Sequence, residues 1–245
     1  ISLPDVVFGC DITADNSTTY MSFFSQMDTY GDGYAGIGVW RAAFKPLVDR
    51  IADTDIRLQW FCCDRSTGVT DASGNRTTLI RDTQSPVAVE YQAVKFIGTG
   101  RDNIKAGVFS GWELGDYIYL RSEEAYMIKM EALAHKGSAE AVTELNSFMK
   151  TRQPDYNYTF TNKADLIEEI IYQKRVEFWG EGLEYIDNRR LNIPVDRTDE
   201  TWGAENNNHL SAGKFRYNQE DRPFLYQLPL SEIENNSQLS PSDQN

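Results

Sequence analysis

YLRSEEAYMIKMEALAHKG, residues 119–137, decides the fold. At about 100° per residue, Tyr119, Leu120, Tyr126, Met127, Met130, Leu133 and Ala134 share one broad helical face. Ala125, Ile128 and Ala132 form a second, smaller apolar face, and Glu124 and Glu131 fall between the two. Glu123 points into the broad face. A helix apolar on two sides is expected to pack on two sides, which leaves those glutamates partly desolvated and in need of cations.

Working outward, the spacing predicts a first helix from Asp116 to Lys136, stopped by Gly137 as a left-handed C-terminal residue. Ser138 caps a second helix that runs to Arg152, just ahead of Pro154, so the two form an αα-hairpin with almost no loop. Asn162 caps a third helix, ADLIEEIIYQKRVEFWG, punctuated by Gly180 and Gly182. A short helix through LEYIDNRRL follows. In the third helix Lys174 and Glu177 lie in the apolar arc with Arg175 beside it, and Arg189 and Arg190 come next. The expected ion network is therefore Arg121, Glu124, Glu131 and Glu177 with one or more of Arg175, Arg189 and Arg190. We read it as a structural network that fixes how the helices dock; the competing reading is a carboxylate pair for acid–base chemistry.

Before the helices the pattern is looser. VVFGC near the start reads as a strand that ends in a turn, FKPLVDRIA (44–52) as a short helix, and IRLQWFCC (56–63) as a strand. RSTGVTDASGNRTT (65–78) reads as a loose hairpin, and the glycine-rich GDGYAGIGVW as loop without the lysine of a phosphate loop. After Pro194 the chain turns polar, then regains apolar character in PFLYQLPLSEI. The fold class expected is mainly α, with tetratricopeptide-like hairpins, long irregular loops and short strands. We take 1–245 as one domain: a loop-rich ligand-side part (1–110), a helical core (111–192), and a loop with a C-terminal tail (193–245).

Composition narrows the function. The net charge of −13 over 245 residues disfavours nucleic acid and anionic membranes. No stretch reaches the roughly 20 apolar residues of a membrane span. The three cysteines, Cys10, Cys62 and Cys63, have no metal-ligand spacing, and with only His135 and His209 no histidine-based metal site or triad is expected. No cofactor is implied.

These motifs resemble the SusD/RagB family of outer-membrane nutrient-binding lipoproteins. The family's arginine, glutamate and alanine-glutamate-alanine helix is matched by Arg121, Glu124, Glu131 and Ala132, with Met130 in place of the first alanine. Its second helical motif is matched in QKRVEFWGEGLEYIDNRR by Arg175, Glu177, Glu181, Gly182, Tyr185, Asp187 and Arg190, while Glu184 stands where the family has arginine. The ending FLYQLPLSEIENNSQL matches the family's proline-rich apolar strand, glutamate and asparagine through Pro229, Glu232 and Asn235 or Asn236. LVDRIADTDIR resembles a further family helix followed by Asp55 and Arg57. The likeness covers roughly residues 44–240 and corresponds to the C-terminal half of a family member, whose lipidated N-terminal cysteine is not in this chain. It implies a surface-exposed lipoprotein of the bacterial outer membrane that binds glycan, without catalysis, beside a TonB-dependent transporter partner.

Given that implication, aromatic residues among glycines and small polar residues become glycan-binding candidates. Tyr20, Tyr30, Tyr34 and Trp40 in residues 16–40 are the first set, and Trp202 in TWGAENNNHLSAGKFRYN is the rival. The competing reading of these aromatics is that they pin loops to the core. Alternative functions are a helical protein-interaction scaffold without glycan affinity and a glycoside hydrolase, although abundant acids alone specify no catalytic pair.

Overall fold

The computed structural model describes residues 5–13, 15–16, 22–28, 34–35, 39, 41–62, 90–96, 115–221 and 226–243. Contacts group the chain into two compact units, Ile1–Glu177 and Phe178–Asn245. It is mainly α, with short two-stranded ribbons.

In the first unit, β1 (Val6–Cys10) pairs antiparallel with β4 (Tyr117–Arg121), with Phe8 opposite Leu120 and Cys10 opposite Tyr117. This corrects the expected start of the first helix at Asp116. Aromatic and β-branched residues in YIYLR favour the pleated backbone, and β1 supplies the pairing partner. Gly9 lets the strands approach, since a Cβ there would stand 2.7 Å from the Tyr117 carbonyl oxygen. The helix begins one residue after the strand, as α3 (Ser122–His135), and the Ser122 amide donates to the Asp5 carbonyl at 2.8 Å.

The hairpin forms where the sequence places it. Gly137 has φ +71°, its amide donates to Ala134 O, and the Ser138 amide donates to Leu133 O, which is a Schellman closure. Ser138 Oγ then accepts from the Glu140 amide at 3.3 Å, ahead of α4 (Glu140–Lys150). Ala141, Leu145 and Met149 of α4, and Met127, Met130 and Ala134 of α3, are buried where these helices pack. α5 (Lys163–Glu177) starts at Asn162, whose Oδ1 accepts from the Asp165 amide at 3.0 Å. It packs on α3, and from Ile170 onward only Arg175 is not fully buried. The smaller apolar face of α3 does not find a second partner: Ala125, Ile128 and Ala132 are exposed, as is Tyr126 from the broad face.

Ahead of the hairpin lie α1 (Phe23–Met27) and α2 (Lys45–Asp49). Ile56–Trp60, expected as strand, is a 3-10 helix, and Phe61–Cys62 extends, as β2, to pair with β3 (Gln92–Ala93). Asp55 caps this turn by accepting from the Arg57 amide at 2.9 Å. Arg57, Leu58 and Gln59 are all buried in succession, which one face of a strand does not allow. Residues 65–78 lie outside the described residues.

The second unit opens with α6 (Leu183–Leu191), bracketed by Gly182 at φ +86° and Asn192 at φ +53°. β5 (Val195–Asp196) pairs with β6 (Arg216–Tyr217) across a loop that carries α7 (Asp199–Trp202). The proline-rich ending was expected to extend as a strand; its described residues 226–229 carry no regular structure, and α8 (Leu230–Asn235), where Ile233 is buried, follows.

No atom stands within 4 Å of a Cβ built on Gly137, so a side chain there meets only the backbone penalty of positive φ. Gly137→Val is expected to lower stability by about 1 to 2 kcal/mol, read as a lower urea midpoint with an unchanged slope.

Candidate functional site

The strongest concentration of buried charge is centred on Glu177, the last residue of α5, which is 3% exposed. Arg57, 1% exposed, donates from Nη1 to Glu177 Oε2 at 3.3 Å, and clamps Asp55 through Nε at 3.1 Å and Nη2 at 2.7 Å. Arg152, just past α4, donates to both Glu177 oxygens, at 3.3 Å from Nε and 3.1 Å from Nη2. Arg121, between β4 and α3, reaches Oε1 at 3.4 Å and the Glu177 carbonyl at 3.2 Å. Glu123 bridges Arg121 and Arg152, each at 3.4 Å. Lys95 donates to the Glu177 carbonyl at 2.7 Å from above the Trp60 ring.

Three guanidiniums thus meet three carboxylates in a space nearly closed to water. Burial raises the Glu177 pKa, but the nearby charges of Arg57, Arg152 and Arg121 outweigh it and hold the group at about 2. An acid held ionised in this way, with its oxygens taken up by arginines, orients helices and has no proton to donate near neutral pH.

The expected network is therefore only partly the observed one. Arg121 and Glu177 meet. Glu124 is half-buried and forms no ion pair among the described residues. Glu131 Oε1 stands 3.6 Å from His135 Nε2. Arg175 is half-buried on the helix of Glu177. Arg189 and Arg190 bond inside the second unit, to the Gln219 carbonyl and to Asp187. Glu123, Arg152, Asp55 and Arg57 hold the places the sequence reading gave to others. Glu123 carried a usable signal, since a charge within the broad apolar face has to be paired.

Of the aromatic candidates, Tyr20, Tyr30 and Trp40 lie outside the described residues. Tyr34 is 42% exposed, its amide donating to Ser25 Oγ at 3.4 Å and its carbonyl accepting from the Val39 amide at 2.9 Å. Trp202 is 37% exposed, and its indole N–H donates to the Asp196 carbonyl at 2.9 Å. The Asp196 carboxylate gathers the Thr198 and Thr201 hydroxyls, each at 2.7 Å, and Arg216. Burial raises its pKa, but these donors prevail and hold it at about 2. Asp199, paired with Lys214 at 2.7 Å and accepting from Asn207 at 2.8 Å, braces the same turn. The indole is tied to its own loop, and the residue stays partly open to solvent. Among the described residues, no group of three or more His, Cys, Asp or Glu side chains could hold a metal ion.

The SusD family model matches residues 67–245. The chain belongs to the SusD family. Solved structures of the same fold include a SusD-like carbohydrate binding protein from Bacteroides vulgatus, 20% identical with a TM-score of 0.65 over 96% of this chain and 48% of that one. A SusD superfamily protein from the same organism gives 16% identity and a TM-score of 0.66 over 98% and 46%. One from Parabacteroides distasonis gives 15% and 0.60 over 98% and 49%. The chain spans about half the length of these SusD structures. No curated protein matches it. No helix among the described residues is long and apolar enough to cross a membrane.

Removing the Glu177 charge leaves Arg57 buried without its full complement of counter-charge, so Glu177→Gln is expected to cost about 3 to 5 kcal/mol. The depressed pKa adds a pH signature. The stabilisation from Glu177 is fully present above the ordinary value of 4.5 and is lost as pH falls from there towards about 2. Urea midpoints measured across that window should fall in the native protein and fall less steeply in E177Q.

Proposed function

We propose that this chain is part of a non-enzymatic glycan-binding protein of the bacterial outer-membrane surface, which passes oligosaccharide to a TonB-dependent transporter. Membership of the SusD family supplies the ligand class. The observation that carries the reading is Trp202: an exposed indole fixed by its own N–H bond, which suits it to stack on the apolar face of a pyranose without losing freedom on binding. Tyr34, exposed in the residue 16–40 segment, supports a second contact there with Tyr20, Tyr30 and Trp40. Glu177, held ionised among arginines, is not the protonated carboxyl that a glycosidase needs.

A protein-interaction scaffold is the second reading. It is favoured by the exposed apolar residues Val7 and Phe8 on β1, Tyr119 on β4, and Tyr126 and Ile128 on α3.

The test uses the full-length protein that contains this chain, run in native gels cast with soluble polysaccharides. Retarded migration with no release of reducing ends is expected. Trp202→Ala, or joint alanine substitution of Tyr20, Tyr30, Tyr34 and Trp40, should weaken affinity about tenfold or more, equivalent to about 1.4 kcal/mol. Released reducing ends would establish a hydrolase, and affinity unchanged by both sets of substitutions would displace the site. Capture of an outer-membrane β-barrel without any glycan retardation would favour the scaffold.

A further inference from the structure

A cleft of about 430 Å³ opens in the first unit, between the end of α2, the segment after α4 and the middle of α5. Its volume falls within the roughly 300 to 1,000 Å³ of small-molecule sites. Its wall is braced from behind. Asp55 and Gln173, both buried, are held by Arg57. Glu169 accepts from the Tyr156 hydroxyl at 2.9 Å, from Gln173 Nε2 at 2.7 Å and from Arg50 Nη2 at 2.7 Å. The Arg50 guanidinium lies 3.9 Å from the centre of the Tyr172 ring. A cleft whose groups are already held in place loses little freedom when it binds.

The groups left for a ligand are mixed in kind. Arg50 is half exposed and offers further N–H donors. Asn157 is exposed, and its amide offers both a donor and an acceptor. Asp155 is exposed, and the hydroxyl of Thr54, at 2.6 Å, holds it below the usual carboxylate range, so it is an acceptor. In the wall, the Tyr158 hydroxyl is buried with no hydrogen-bond partner among the described residues. Carboxylates outnumber the one lining guanidinium, which disfavours an anion, and donors beside acceptors suit hydroxyl groups, which are both.

We propose that this cleft is a second saccharide site that takes one or two neutral sugar units, with Asp155, Asn157 and Arg50 as its hydrogen-bonding groups. It rests on the ligand class of the proposed function and uses none of its residues, so the two can fail separately.

Amide chemical-shift mapping of the whole chain tests it, with glucose, galactose, mannose, maltose and cellobiose as probes and glucuronate as the charged comparison. At least one neutral sugar should shift amides in 153–158 and 169–173. In the double variant Asp155→Asn, Asn157→Ala, both positions being exposed, that sugar should bind about tenfold more weakly while the rest of the spectrum stays unchanged. The proposal is overturned if shifts appear only around residues 196–217, which would leave glycan binding standing. It is equally overturned if glucuronate alone shifts the cleft, if the double variant binds as the native chain does, or if no probe shifts those amides at all.

Discussion

The carboxylate of Glu177 ties together the described segments that meet at the end of α5. It stands at the end of α5 and draws in guanidiniums from three places: behind the Asp55 turn, at the strand-to-helix junction at Arg121, and past the end of α4 at Arg152. Each of these is a chain segment that changes direction. An apolar contact would have held them together with little demand on angle. Arginine forks converging on two oxygens hold them in one geometry, because a displaced partner leaves a charge stranded away from water. The helices supply the mass of the core, and the acid fixes their registration.

The helical frame was legible in the sequence for local reasons. Gly137, Ser138 and Asn162 act on backbone groups within a few residues of themselves, so their meaning does not depend on what else is nearby. The same holds for the short helix at 183–191, set between Gly182 and Asn192. The strand at 117–121 was not legible, because its helical and extended readings have the same apolar residues and the choice falls to a partner at 6–10. The turn at 56–60 was misread for a related reason: alternating polar and apolar residues imply a half-exposed strand only if the polar ones face water, and here Arg57 and Gln59 are buried.

The charge cluster shows where a single sequence runs out. That Glu177 and Arg121 would be buried and paired could be read from their places among apolar residues. Which ions they would meet could not. Arg57 lies 120 positions from Glu177, Arg121 lies 56, and nothing in helical periodicity relates such distant positions. The aromatic candidates share this difficulty. Trp202 in a polar loop suggests a ligand contact or a loop anchor equally well. Its N–H is tied to the Asp196 carbonyl and 37% of its surface stays exposed, and the sequence signals neither.

The near-absent linker between α3 and α4 bears on the order in which the unit assembles. Closing so short a loop costs little chain entropy, whereas uniting Arg57 with α5 closes a loop of more than a hundred residues. Helical hairpins of low contact order form quickly, and distant segments join afterwards. The α3–α4–α5 assembly can therefore present Glu177 already flanked by Arg121 and Arg152, and the segment carrying Asp55 and Arg57 arrives last. It brings its own carboxylate with its guanidinium, so the latecomer enters as a nearly neutral pair. A lone cation would have to shed its water on the way in; this segment carries its counter-ion with it.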